Sequence, residues 1–296
     1  MLVEKRGGNN FKIEGILSDI DLEYGSFEKN GVTNKVIRGS YTLRVEQKIC
    51  GENQTLEVPI YVFATEKKKS GDTNEAYSNL EKMMNSYVSI AAGGIEKADY
   101  IRVTGANIKM NEFFSQDGQF VSYPRINSAF FRKISKDDFK PEATFTITAV
   151  IDNIADKLDS EGVEYDPRQV KVDVILPQYG GTVDKISLEA KTPGVISGIE
   201  STWSRGDTVN IAGVVNFSSK TEITTVDQAF GDPVTKSRTI NVNELIITGG
   251  SEPLDGEFAY DIADIKEALI EREKKIEAMK NKEKPAPKKA LSDIDF

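Results

Sequence analysis

Apolar and polar residues alternate along most of this chain, and the phase of the alternation changes near glycines. Between Asp99 and Ile134, Ile101 and Val103 share one side, but beyond Gly105 the apolar set moves to Ala106, Ile108 and Met110. A bulge at Gly105 keeps one side of a continuous strand on the core and leaves Tyr100, Arg102, Asn107 and Lys109 on the other. Asp117-Gly118 supplies positive φ for a hairpin turn. The return strand then sets Phe120, Ile126, Phe130 and Ile134 against Tyr123, Arg125, Asn127, Phe131 and Lys133. Pro124 donates no ladder hydrogen bond, so the pattern predicts an edge or bulge there.

Upstream, the same period predicts three strands. Phe11 to Tyr24 carries Phe11 and Ile13, then Ile16, Ile20, Leu22 and Tyr24 after a second parity change near Gly15. Lys35 to Gln47 and Leu56 to Ala64 follow, the latter burying Leu56, Val58, Ile60 and Val62. After a Lys67-Lys68-Lys69 loop, Asp72 and Glu75 read as a capping box, and Tyr77, Leu80, Met84, Tyr87 and Val88 recur at helical spacing. The order β-β-β-α-β-β is that of an oligonucleotide-binding (OB) barrel.

The plan recurs from Glu142, with strands over 144–151, 170–175, 185–190, 208–217 and 236–247 and room for a short helix between Pro193 and Trp203. Gly213 echoes Gly105. The outward positions there, Lys171, Asp173, Thr208, Asn210 and Asn216, include no aromatic. Asp261 to Lys280 has a stripe of Ile262, Ile265, Leu269 and Ile276, a helix expected to pack by its first half. The fold predicted is mainly β: OB-like five-stranded barrels at 1–140 and 141–257, a C-terminal helix at 258–280, and a mobile linker with an acidic tip at 281–296.

Composition narrows the chemistry. The chain has no histidine and only Cys50, which removes Ser-His-Asp and Cys-His catalysis and cysteine- or histidine-based zinc sites. No Gly-Lys-Ser/Thr phosphate loop is present, and the acidic run from Asp159 to Asp166 puts Glu164 and Val170 where a calcium loop needs glycine and glutamate. No catalysis, cofactor or metal is therefore expected. No run of about 18 apolar residues exists, and Met1 to Asn10 lacks the apolar core of a signal peptide, so a cytoplasmic location is expected.

The net charge of −9 is unevenly placed: 20 basic and 19 acidic residues in 1–140, 9 and 19 in 141–257, and 9 and 9 in 258–296. The near-neutral first block can present a local basic face. In an OB barrel, Arg38, Arg44, Tyr61, Phe63, Tyr100, Arg102, Lys109, Tyr123 and Arg125 come from neighbouring strands, and Phe113 and Phe114 flank the hairpin tip. Single-strand binders need this mixture, with rings to stack bases and cations to follow phosphates. The second block is a poor nucleic-acid surface. The lysine run adds at most a salt-sensitive attraction.

The chain ends Leu291-Ser292-Asp293-Ile294-Asp295-Phe296 after a Lys- and Pro-rich stretch. In this it resembles bacteriophage-type single-stranded DNA-binding proteins, which are similar in plan to bacterial SSB proteins. The resemblance implies an OB core that binds single-stranded DNA and a tail that docks on replication or recombination proteins. Phe296 would be the anchor, Asp293 and Asp295 the charges for a basic rim, and Ile294 an apolar contact. The tail departs from the bacterial form in having Asp295 where proline usually stands and only two aspartates. The same pattern leaves open a β-rich phage virion or tail protein whose outer faces are subunit contacts.

Overall fold

The computed structural model describes residues 8–29, 31–226 and 234–282, so the tail residues Asp293, Ile294, Asp295 and Phe296 lie outside the described residues. The elements run β1 (Asn9–Lys29), β2 (Val32–Ile49), β3 (Glu52–Thr65), α1 (Glu75–Ser86), α2 (Ile90–Gly93), β4 (Tyr100–Phe114), β5 (Phe120–Asn127) and β6 (Phe131–Ile134). They continue as β7 (Glu142–Asp156), β8 (Val170–Pro177), β9 (Val183–Ala190), α3 (Pro193–Thr202), β10 (Thr208–Val226), β11 (Val234–Gly250) and α4 (Ile262–Lys282).

Two closed rings result. In the first, β1 pairs with β2, β2 with β3, β3 in parallel with β5, β5 with β4, and β4 returns to β1. In the second, β7, β8, β9, β11 and β10 close in the same way, with the β9–β11 pair parallel. Each ring has the OB strand order and a helix before its fourth strand. The chain is thus mainly β, with a C-terminal helix. β1 also pairs with β7, from Asn9↔Ile147 to Glu14↔Glu142, so the rings share one sheet and one apolar core in which Phe11 stacks on Phe145 at 5.6 Å.

Gly105 does what its parity switch predicts. Its φ is +62°, and the β1–β4 register shifts between Phe11↔Ala106 and Ile13↔Val103, so Val103 and Ala106 both face the core. Other expectations need correction. The parity change in β1 falls at Ser18, where the β1–β2 register shifts, and Leu17 rather than Ile16 takes the buried place. The return strand breaks after Asn127, because the Ser128 hydroxyl bonds the Thr104 carbonyl and turns the chain. The turn buries Phe131 against Tyr41 and leaves Phe130 52% exposed, the reverse of simple alternation. Helix α1 is capped by Asn74, whose side chain accepts from the Ala76 N–H, and not by Asp72.

In the second ring Thr208 and Asn216 are buried rather than outward: Thr208 accepts from the Tyr260 N–H, and Asn216 donates to Glu244. Helix α4 packs Ile265 and Ala268 on Val150, Ile175 and Val183 as expected. Its second half also docks, because Arg272 pairs with Glu112 on β4. Beside that pair, Asp184 accepts from the Met110 N–H and from Gln178, and Asn9 bonds both backbone groups of Ile108. The β4 edge left unpaired past the bulge is therefore hydrogen-bonded by side chains of β1 and the second ring.

The β2–β3 turn carries a local mismatch. Ile49 pairs with Glu52 across a two-residue loop in which Cys50 has φ +51° and Gly51 φ +90°. This left-handed pair suits Asn-Gly better than Cys-Gly. The exposed Cys50 replaced by asparagine is expected to raise unfolding stability by about 0.5–1 kcal/mol in urea titration, and an unchanged midpoint would refute the turn assignment.

Candidate nucleic-acid interface

Alternation on β3 buries Ile60 and Val62 and turns Tyr61 and Phe63 outward. On β5, Ile126 is buried and Tyr123, Arg125 and Asn127 face the same way as Tyr61, because β3 and β5 run in parallel with Tyr61 opposite Asn127. A groove of about 830 Å³ opens over these strands. Arg38 and Lys109 stand on its walls, from β2 and β4.

Its most ordered feature is a stack. The Arg125 guanidinium carbon lies 4.3 Å from the Tyr61 ring centroid and 5.1 Å from that of Tyr123, and Nη2 donates to the Tyr123 hydroxyl at 2.6 Å. Cation–π attraction of about 0.5–2 kcal/mol per contact holds the guanidinium against the two rings. Phe113 continues the row edge-on to Tyr123 at 6.4 Å, since Lys109, Asn111 and Phe113 register with Arg125, Tyr123 and Val121 on one face. Phe114, one residue on, lies on the opposite face with Phe120 at 5.3 Å. At the other end Phe27 lies 6.2 Å from Phe63.

Of the residues named from sequence, Arg38, Tyr61, Phe63, Lys109 and Arg125 line the groove, and Tyr123 and Phe113 extend it. Phe114 faces away from it, and three others lie elsewhere on the barrel. Arg44, far along β2, bonds Glu46. Tyr100 packs on Phe139 at 4.6 Å. Arg102 is the counter-ion of Glu14, a carboxylate only 2% exposed, and also donates to the Asp138 carbonyl. Burial pushes the Glu14 carboxyl up, but hydrogen bonds from Arg102 and the Lys140 N–H, with the charges of Arg102 and Arg132, outweigh it and hold it below its ordinary value. All three are outward-facing as predicted, but a closed barrel spreads its outer face around a full circumference.

Sequence reasoning missed Phe27, Phe130, Asp21 and Glu23, all of which border the groove or its aromatic row. The side of β1 opposite Ile20, Leu22 and Tyr24 already holds Asp21 and Glu23, and extending it past Tyr24 reaches Phe27, whereas Phe130 had no signal short of the Ser128 turn. Glu23 accepts from Arg38 at 2.7 Å. The groove thus holds three cations, Arg38, Lys109 and Arg125, against two carboxylates.

The corresponding strands of the second ring are occupied differently. Lys157, just past β7, and Lys191, just past β9, both pair with Glu189 and Glu244 at 2.6–3.3 Å, and all four side chains are at most 19% exposed. Burial lowers the Lys191 ammonium, but its hydrogen bond to Glu244 and the two carboxylate charges outweigh it and raise it overall. These cations are committed to internal partners.

Among solved structures, the chain is similar to the wild-type single-stranded DNA-binding protein from Thermus aquaticus, with a TM-score of 0.49 and 11% identity over 88% of this chain and 99% of that one. A deletion mutant of that protein matches with a TM-score of 0.48 and 12% identity, over 85% and 97%. A replication protein A heterotrimer bound to single-stranded DNA matches with a TM-score of 0.21 and 9% identity, over 93% and 71%. No curated protein matches the sequence. The YorF family model matches residues 7–282, nearly the whole chain, and the chain therefore belongs to the YorF family.

Proposed function

We propose that this protein binds single-stranded DNA in the first-ring groove, without catalysis, and that its C-terminal tip recruits replication or recombination proteins in the cytoplasm. The observation that carries the binding reading is the Tyr61–Arg125–Tyr123 cluster opening into a groove with further exposed rings and the Lys109 cation. Stacked rings accept any base, and the cations track the backbone. The second ring, with Lys157 and Lys191 neutralised by Glu189 and Glu244, serves as a brace that pins the β4–β5 hairpin through Asp184 and Gln178. The recruiting role and a bacteriophage setting are supported by the form of the tail, Asp293-Ile294-Asp295-Phe296. Among the described residues, no helix is long and apolar enough to cross a membrane.

The test is oligo-dT binding across a salt series. Affinity is expected to fall with a log–log slope of roughly −0.7 per phosphate neutralised, and Lys109→Ala is expected to flatten that slope by about 0.7. Truncation after Leu291 is expected to leave DNA affinity intact and abolish capture of a replication or recombination protein. Absence of oligo-dT binding at low salt would end the binding reading, and capture undiminished by truncation would end the tail reading.

A further inference from the structure

One row of registered residues crosses all five strands of the first ring at the groove floor. Asp21 on β1 lies opposite Ser40 on β2, Ser40 opposite Tyr61 on β3, Tyr61 opposite Asn127 on β5, and Asn127 opposite Asn107 on β4. All five line the groove. Registered partners point to the same side of a sheet, so the Tyr61 ring is flanked by a hydroxyl and a carboxylate on one hand and two amides on the other. Asp21 lies two strands from Tyr61, roughly 9–10 Å at the backbone, about the reach of a base stacked beside the ring. The short Ser40 leaves that gap open, and Gly39 beside it has φ +130° and no room for a Cβ, which would sit 2.1 Å from the Asp21 carbonyl.

The two groove carboxylates are not equivalent. Glu23 is neutralised by Arg38. Asp21 is exposed, and its carboxylate makes no hydrogen bond or ion pair among the described residues. The Asn107 side-chain oxygen also has no partner, while the Asn127 amide nitrogen is taken by the Arg125 carbonyl. Among the described residues the Ser40 and Tyr61 hydroxyls and the Asn107 amine also make no side-chain hydrogen bond and can donate, so the exposed Asp21 carboxylate is the acceptor-only group of the row. An unpaired carboxylate works against a binder of phosphates, yet it matches one base edge: only guanine presents two adjacent N–H donors, N1–H and the N2 amine, on its Watson–Crick side. A carboxylate accepts such a pair bidentately.

We propose that the groove reads guanine at the nucleotide stacked on Tyr61, with the Asp21 carboxylate accepting from N1–H and the N2 amine. This rests on the single-stranded DNA-binding reading and adds a base preference at one position to a surface otherwise indifferent to sequence. Arg125 and Tyr123 stay outside the selection, because they contact the face of a neighbouring base and not its edge.

The experiment measures fluorescence anisotropy of full-length protein with oligo-dT and with oligo-dT carrying a single dG scanned along its length. Wild type is expected to bind the best dG-containing oligonucleotide roughly fivefold to tenfold more tightly than plain oligo-dT. Deoxyinosine, which lacks the N2 amine, is expected to lose most of that gain at the same place. Asp21→Asn, a substitution at an exposed position, is expected to abolish the preference, read as the ratio of dG-containing to plain oligo-dT affinity. Equal binding of dT and dG oligonucleotides by wild type overturns the proposal, as does a preference that survives in Asp21→Asn. A preference set by a ribose 2′-hydroxyl in place of the base, seen with a single ribonucleotide, also overturns it. Failure of plain oligo-dT to bind at low salt would instead overturn the parent reading.

Discussion

Tyr61→Ala is expected to weaken oligo-dT binding by roughly 5- to 150-fold, the loss of one base–ring stack of about 1–3 kcal/mol. Tyr61 is the side chain on which Arg125 rests, at 4.3 Å, so its removal also frees the guanidinium from one of its two rings. Arg125→Ala is expected to cost a similar factor, and the two losses should be less than additive because they share one stack. Tyr61→Phe keeps the ring and should bind within about twofold of wild type. The internal control is Tyr100→Ala, an outward aromatic packed on Phe139 and away from the groove. Its affinity should stay at the wild-type level. Equal affinity of Tyr61→Ala and wild type, or an equal loss in Tyr100→Ala, would show that the groove is not the DNA path. Circular dichroism separates either result from misfolding.

The largest effect on stability is expected from Arg102→Ala. It leaves Glu14, 2% exposed, with only the Lys140 N–H as hydrogen-bond donor. Stranding a buried carboxylate costs about 3–5 kcal/mol, and because the Arg102 side chain is itself 32% exposed the expected loss at neutral pH is nearer 2–4 kcal/mol. The pH dependence follows from sign. In the wild type the Glu14 carboxyl is held below its ordinary value, so its contribution is present above the unfolded-state pKa and is lost as pH falls through the folded-state one. Without Arg102 the effect of burial dominates and the folded-state value rises. The deficit of the variant should then be greatest at neutral pH and narrow toward about pH 4, as Glu14 of the variant takes up a proton and no longer strands a charge. Urea denaturation at both pH values measures this. A deficit of the same size at each would mean that packing, not charge, was lost.

Much of the architecture was legible because period-two alternation directly records which side of a strand is buried. The ten barrel strands and the helices before each fourth strand follow from that record together with turn residues. Gly105 was legible for a sharper reason: a bulge is the means by which a strand can change parity and still face one core, and a left-handed residue there favours glycine. Gly15 misled, since glycine also serves close approach; a Cβ there would lie 2.7 Å from the Arg44 carbonyl, and the bulge itself fell at Ser18. Phe130 and Phe131 exchanged roles because one hydroxyl, that of Ser128, found a carbonyl 24 residues upstream.

The candidate site was half legible. Tyr61, Phe63, Arg125 and Lys109 follow from alternation plus strand order, because the parallel β3–β5 pairing that brings them together is implied by the OB sequence of elements. Arg102 and Arg38 show where that reasoning stops. Both are outward arginines on first-ring strands, yet one neutralises a buried glutamate and the other lines the groove.

By itself the sequence determined the strands, their buried sides, the repeat of the plan and the set of residues from which a basic aromatic face could be drawn. Those properties are local, written in residue spacing and in the backbone freedom of glycine. Only the tertiary structure decided which of those residues share a groove, that the second ring spends Lys157 and Lys191 on Glu189 and Glu244, and that the Asp21 carboxylate has no partner among the described residues on the groove floor it shares with Tyr61. Each of these depends on barrel curvature and on partners distant in sequence, which alternation along a single strand does not encode.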